Sequence, residues 1–235
     1  MDNHTIKRLN LINFAFYRRT AGHFNRTRQS PWAGWHTLLP YLSTPLSVLD
    51  VGCGNGRFGL FLAEQLDDAI DYHGVDNSQE LLAEAQTALD ETRLNVKLEE
   101  RDVIERPLDA SSYQLVVAFG LLHHIPGWDY RQRFVQNLAE RVMRGGRLVF
   151  ASWRFYEYER FRERIVPWPA DFDVEKHDYL LDWRQGTQAL RYCHYVDDAE
   201  QATLIQASGL EEVKTYRADG KTGNLNCYSI LQRPK

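Results

Sequence analysis

Short apolar runs and helical stripes take turns along the middle of this chain. Val48, Leu49 and Val51 read as a buried strand that runs into Gly52, Gly54 and Gly56, and an amphipathic helical pattern follows at once within SVLDVGCGNGRFGLFLAEQL, residues 47–66. DYHGVD (71–76) reads as a second strand ending in an acid. Residues 78–90 place Leu81, Leu82, Ala85 and Leu89 at helical spacing behind a Ser78 N-cap. NVKLEERDV (95–103) is a third strand ending at Asp102, and YQLVVAFGLLHHI (113–125) is a buried fourth strand with its loop. A helix over 128–143, stopped by Gly145 and Gly146, leads into a fifth strand, RLVFASW (147–153). Strands alternating with helices predict an α/β fold, a parallel sheet with helices on both faces. Ligands of such sheets bind beyond the carboxyl ends of the strands.

Residues 154–190 break this rhythm. They are dense in Arg, Glu and aromatics, contain Pro167 and Pro169, and carry no clean strand pattern. An inserted lid over the strand ends is expected there. The pattern resumes from 195. VDDAEQATLIQASGL is a helix with Asp197 or Asp198 near its start and Gly209 at its end, and LEEVKTYRADG with NLNCYSILQR forms a final antiparallel hairpin. No internal repeat or low-complexity segment is present.

Charge changes the picture at the N-terminus. The net charge is −4, yet residues 1–46 hold six Lys/Arg against Asp2 alone, while residues 47–150 hold ten basic and seventeen acidic side chains. Phe14, Phe16, Tyr17, Phe24, Trp32 and Trp35 interleave with the leader's cations. That mixture suits a contact surface for phosphates and bases. It also suits an amphipathic helix with its aromatics docked on the core and a solvated basic face, which composition alone favours. Cys53, Cys193 and Cys227 are widely separated, as expected of reduced thiols in a cytoplasmic protein, and no zinc or other metal site is expected. No apolar run reaches the length of a membrane span, and LNLINFAF lacks the features of a signal peptide.

The glycine loop is the strongest chemical signal. A strand that breaks into glycines and restarts as a helix lets a nucleotide-like cofactor approach the backbone. The G-x-G-x-G spacing is neither that of dinucleotide folds nor that of P-loops. Asp76, twenty residues after Gly56, is placed to accept hydrogen bonds from both ribose hydroxyls. Asp102 is placed to accept from an adenine amino group, with Val103 packed on the ring. Asp50 is expected to organise the loop, and Phe119 and Gly120 to line the remaining side of the site.

The loop resembles motif I of class I S-adenosylmethionine (SAM) methyltransferases, and Asp50, Asp76, Asp102 and Phe119 fall in that family's order. The resemblance covers roughly residues 45–152 and the last hairpin. It implies a Rossmann-like seven-stranded, mostly parallel sheet whose last strand is antiparallel, with SAM as methyl donor. Under it, Asp50 faces the ammonium of the methionine portion, and Phe119 and Gly120 line the methionine side. The chain then divides into a basic aromatic substrate-side segment, 1–46, and a SAM-binding domain, 47–235, with the lid at about 154–190.

Three further segments carry a narrower resemblance. HFNRTRQSPW in the leader, DYLLDWR (178–184) with RYCHYV (191–196), and GNLNCYSIL (223–231) are similar to the methyltransferases that esterify carboxymethyl-uridine at the tRNA wobble position. This chain has Asp182 where that family usually has Pro, and Cys193 where a second Tyr is usual. The resemblance implies tRNA as partner and a small activator subunit. A carboxylate acceptor is already ionised, so it needs cationic donors to hold it rather than a strong base. Arg28 and Arg191 are the candidate clamp. Trp32, Trp183 and Tyr192 are candidates to stack on a flipped-out base, with core packing the commoner fate of such residues. His123 and His124 follow the fourth strand, where acceptor and methyl group are expected to meet. Either is a candidate base for a phenol, hydroxyl or amine acceptor. His194, beside Arg191, is a further candidate for the substrate side. A small-molecule methyltransferase on the same scaffold, and a SAM-binding scaffold without turnover, are the competing readings.

Overall fold

The computed structural model describes residues 1–26, 30–66, 69–185 and 187–235. A seven-stranded sheet forms the body, in the order β3-β2-β1-β4-β5-β10-β9. Its strands are β1 (Leu46–Val51), β2 (Ile70–Asp76), β3 (Asn95–Glu100), β4 (Tyr113–Phe119), β5 (Val142–Trp153), β9 (Glu211–Ala218) and β10 (Asn226–Gln232). Strands β1 to β5 pair in parallel, and β10 runs antiparallel to both β5 and β9. The helices are α1 (Asn3–Arg26), α2 (Arg57–Gln65), α3 (Gln79–Leu89), α4 (Trp128–Glu140), α5 (Glu159–Arg162) and α6 (Asp198–Ala207).

Strand residues alternate between two cores, one on each face of the sheet. Leu49, Val116 and Leu148 join α4 and α6 on one side, while Val48, Val117 and Val149 join Phe58, Phe61 and Tyr228 on the other. Burial on both faces explains why these strands read as continuous apolar runs rather than as alternating ones. Strand β1 lies between β2 and β4, so the order reverses there. The carboxyl ends bearing Asp50, Asp76 and Phe119 border the crevice that this reversal opens. Ser78 caps α3 by accepting from the Leu81 amide, and Asp197 caps α6 by accepting from the Glu200 amide.

Two expectations are corrected. Helix α4 ends at Glu140, and Gly145 and Gly146 lie inside β5, because Val142 already pairs with Tyr113. A Cβ on Gly146 would stand 2.9 Å from the Gln114 carbonyl oxygen, so that glycine permits close strand approach. The region expected to lack strands holds most of a second sheet, of β6 (Ile165–Val166), β7 (Asp178–Gln185) and β8 (Thr187–His194). Its antiparallel pairing joins segments whose side chains follow no clean alternation, since β8 is covered by α1 rather than left to solvent. Among the described residues, no helix is long and apolar enough to cross a membrane.

A buried ionic network fastens this second sheet to the body. His194 on β8 bonds Asp178 through Nδ1 (2.7 Å) and Glu200 on α6 through Nε2 (2.8 Å). Arg131 on α4 donates to Glu200 (2.6 Å) and to Glu175 (3.0 Å). The Tyr192 hydroxyl donates to Asp178 at 2.8 Å. Burial depresses the His194 pKa, but its two carboxylate bonds outweigh that and the net shift is upward.

Candidate active site

The crevice is a cavity of about 640 Å³ with two chemically different walls. The first is built from strand ends. Gly52, Gly54 and Gly56 all have positive φ (79°, 55° and 74°), which lets the chain turn from β1 into α2. A Cβ placed on Gly54 meets no atom within 4 Å, so this glycine leaves open space on the cavity floor. Asp76 is oriented by the backbone around it: one carboxylate oxygen accepts from the Gly54 amide (2.8 Å) and the other from the Ser78 amide (2.9 Å). Burial raises its pKa, against the pull of those amides. Each oxygen keeps lone-pair capacity for a hydroxyl donor.

Asp50 is buried and accepts from the Tyr72 hydroxyl at 2.6 Å. Burial pushes its carboxyl up to about 7, with the Tyr72 bond opposing and the Asp76 charge adding to the rise. Phe119 and Gly120 line the same wall, and Trp32 covers Gly120 so closely that a Cβ there would stand 3.1 Å from the indole. Asp102 and Val103 line a smaller adjoining cavity of about 50 Å³, next to Asn10, Asn13 and Tyr17 of α1. Asp102 accepts from Asn10 at 2.6 Å and from the Ile104 amide at 2.9 Å.

This set fits a ligand with a ribose, an amino-acid end and a flat ring: a paired acid at the ribose position, a recessed acid beside the glycines, and an acid in a side recess. The comparisons agree. Residues 48–146 match a methyltransferase domain family. A SAM-dependent methyltransferase from Methanosarcina mazei superposes with a TM-score of 0.66 at 20% identity, over 87% of this chain and 99% of that one. The N-methyltransferase NodS of Bradyrhizobium japonicum, bound to S-adenosyl-L-homocysteine, superposes with a TM-score of 0.58 at 18% identity, over 89% and 91%. The chain is a SAM-dependent methyltransferase with a Rossmann-like methyltransferase fold.

Curated relatives extend the comparison. A protein of Encephalitozoon cuniculi named as a methyltransferase is 26% identical over 219 residues, 93% of each chain. The ubiquinone biosynthesis O-methyltransferase of Coxiella burnetii is 33% identical over 105 residues, 45% of this chain and 42% of the relative. The tRNA (carboxymethyluridine(34)-5-O)-methyltransferase of Xenopus tropicalis is 26% identical over 151 residues, 64% of this chain and 22% of the relative. The chain thus spans less than half the length of either of these last two.

The methyltransferase's second wall comes from α1, the β4 loop, the end of β5 and the inserted sheet. Arg191 on β8 lines the cavity with its guanidinium 4.7 Å from the centre of the Trp153 ring, 5.3 Å from Phe16 and 5.9 Å from Trp183. Among the described residues, no carboxylate pairs with it. Three aromatic faces therefore hold a cation without neutralising its charge. His123 and His124 are buried in the short turn after β4 and both line the cavity. His124 Nδ1 faces both the Tyr192 carbonyl (3.0 Å) and the Asn13 side-chain amide (3.1 Å), and its Nε2 is hydrogen-bonded to the Tyr17 hydroxyl at 2.8 Å.

Several named residues fall elsewhere. Arg28 lies outside the described residues. His194 is not on the substrate side: its two nitrogens are committed to Asp178 and Glu200 in the buried network. Tyr192 is fully buried and bonded to Asp178, so it packs in the core instead of stacking on a ligand. Trp32 and Trp183 are packed on other aromatics while lining the cavity.

Others went unassigned. Arg57 packs against the stacked Trp32 and Trp35 rings, 5.2 and 5.3 Å from their centres, and burial lowers its pKa to about 10. Asp219, in the turn before β10, accepts from Gly34 (2.9 Å) and Asn226 (2.8 Å) and lines the cavity. Tyr17 was visible only as one aromatic among many. Its spacing from Asn10 and Asn13 marks a single helix face, and that was the one available signal.

Proposed function

We propose that this methyltransferase esterifies a carboxylate carried by a modified wobble uridine of tRNA. The observation behind this reading is Arg191, a cation in an aromatic cage that opens on the cavity without a carboxylate partner among the described residues. Such a group is a receptor for an anion. A carboxylate is ionised at neutral pH, so the protein has only to hold it in line. A planar guanidinium suits that task. The leader kernel with Arg28, the lid segment DYLLDWR, and the Xenopus relative's named substrate support the same reading. A small activator subunit belongs to it as well.

When bound, SAM supplies a methyl group on a cationic sulfur. In this reading Asp76 holds the ribose, Asp102 the adenine amino group and Asp50 the amino-acid ammonium. Phe119, Trp32 and Trp153 keep water from the site, and Arg191 orients the acceptor. The test is transfer of labelled methyl by the purified chain to total tRNA, with and without mild alkaline hydrolysis to free esterified carboxylates. Label in hydrolysed tRNA that base releases again is the expected result. Label confined to a small-metabolite extract overturns the reading.

A second reading, a small-molecule O- or N-methyltransferase, is favoured by the Tyr17–His124 pair. A hydroxyl hydrogen-bonded to an imidazole at the cavity wall is a route for a proton leaving a phenol or amine. The Coxiella relative is named for an O-methyltransferase.

A further inference from the structure

Arg191 is not the only unpaired cation in the acceptor half of the cavity. Arg160 on α5 and Arg164 just before β6 line it too. Arg160 stacks over Phe161 and Tyr158, with its guanidinium 4.6 and 5.6 Å from the ring centres. Among the described residues, neither Arg160 nor Arg164 has a side-chain ion pair or hydrogen bond. The cavity's own carboxylates do not balance them. Asp50, Asp76 and Asp219 stand at the strand-end wall, each already bonded to donors of its own surroundings. Arg191 is buried, Arg164 half-buried and Arg160 exposed, so the three guanidinium groups run from the cavity's interior to its mouth, where a ligand with a second anionic group can reach them.

The inserted sheet sets their separation. Ile165 pairs with Leu181, and Leu181 pairs with Arg191. Arg164, one residue before Ile165, therefore lies two strand spacings from Arg191, about 10 Å along the backbone ladder. Arg160 and Arg164 reach the same cavity as Arg191, so a ligand with two anionic groups can contact both sets, and a nucleotide carries two such groups, a ring carboxylate and a phosphate.

We infer that Arg160 and Arg164 form a phosphate subsite that reads the nucleotide carrying the carboxylate held by Arg191. This rests on the function proposed above and adds to it that the acceptor is recognised as a nucleotide, by an anion other than the one methylated. Arginine suits a phosphate, because its fork of donors matches phosphate oxygens. The cation on the Phe161 face stays available to a ligand instead of collapsing onto a neighbouring acid.

The experiment is calorimetric binding to the full chain saturated with S-adenosyl-L-homocysteine. The probes are 5-carboxymethyl-uridine as the nucleoside and as its 5′- and 3′-monophosphates. The wild type is expected to bind a monophosphate at least tenfold more tightly than the nucleoside. In the Arg160→Ala/Arg164→Ala double variant that ratio falls to near one, with nucleoside and S-adenosyl-L-homocysteine affinities unchanged. The Arg160→Lys/Arg164→Lys variant, which keeps the charge, restores part of the ratio. Equal binding of nucleoside and monophosphates by the wild type overturns the subsite and leaves the proposed function standing. A phosphate preference that survives the double alanine variant overturns the assignment to these two arginines. Binding of none of the probes, with methyl transfer only to small metabolites, overturns the subsite and the proposed function together.

Discussion

The Tyr17 hydroxyl and Nε2 of His124 are hydrogen-bonded at 2.8 Å, across 107 residues of sequence. Helix α1 thereby closes the nitrogen that a solvent-facing base would present to a substrate. A histidine covered on both nitrogens in this way shapes the cavity wall. For a carboxylate acceptor no proton has to leave. Tyr17→Phe is expected to lower kcat less than tenfold and to leave the rate flat between pH 6.5 and 8.5, measured by labelled methyl transfer. A loss of about 10²–10⁴-fold, the usual size of a general-base effect, would instead favour the small-molecule reading.

Asp76 links the glycine loop to the start of α3 by bonding the Gly54 and Ser78 amides. Asp76→Ala leaves two amides without their partner and, in the proposed function, removes the ribose acceptor. The expected cost is about 1.5–3 kcal/mol in cofactor binding, roughly 10- to 100-fold in Kd. Titration calorimetry with S-adenosyl-L-homocysteine checks it, and an unchanged affinity would refute the cofactor site assigned to this residue.

In the proposed function Arg191 contacts the acceptor and not the cofactor. Arg191→Ala is expected to lower kcat/KM at least 100-fold with cofactor affinity unchanged. Arg191→Lys is expected to recover little, because an ammonium lacks the flat face that Phe16, Trp153 and Trp183 enclose. A full rescue by lysine would mean that charge alone matters there.

His194 ties β8 to α6 through Asp178 and Glu200, and these bonds raise its pKa above the ordinary histidine value. The sign follows from linkage. The folded state holds the proton more tightly than the unfolded chain, so the stabilisation is complete below the unfolded pKa of about 6.5 and is lost as pH rises through the folded value. Thermal melts from pH 5.5 to 9 are expected to show that decline. His194→Gln should lower the melting temperature most at the acidic end and flatten the curve. Equal loss at every pH would mean that the imidazole is neutral in the folded protein.

The strand-end wall of the cavity was legible in the sequence. A strand, a glycine loop and a helix are written within twenty consecutive residues, and strands buried on both faces announce themselves as apolar runs. Asp50, Asp76, Asp102 and Phe119 stand at strand ends, so reading where each strand stops was enough to place them. The limits of that reading show at Gly145 and Gly146. A glycine pair reads locally as a helix stop, yet here it lets β5 lie close to β4.

The acceptor half was decided by tertiary structure. Arg191 was a candidate from a motif, but its cage is assembled from α1, β5 and β7, and Trp153 lies 38 positions away in the chain. Tyr17 meets His124, and Asn10 meets Asp102, only because α1 packs across the end of the sheet. The strands of the inserted sheet are likewise specified by their partners and not by their own periodicity. His194 shows the same from the other side, since this residue, three positions after Arg191 in the chain's RYCH run, turns away from the cavity into a buried network. Periodicity records which face of an element is buried, and short motifs record where the backbone must bend. Which side chains from distant elements meet, and which charges are left without partners, depends on how the elements pack.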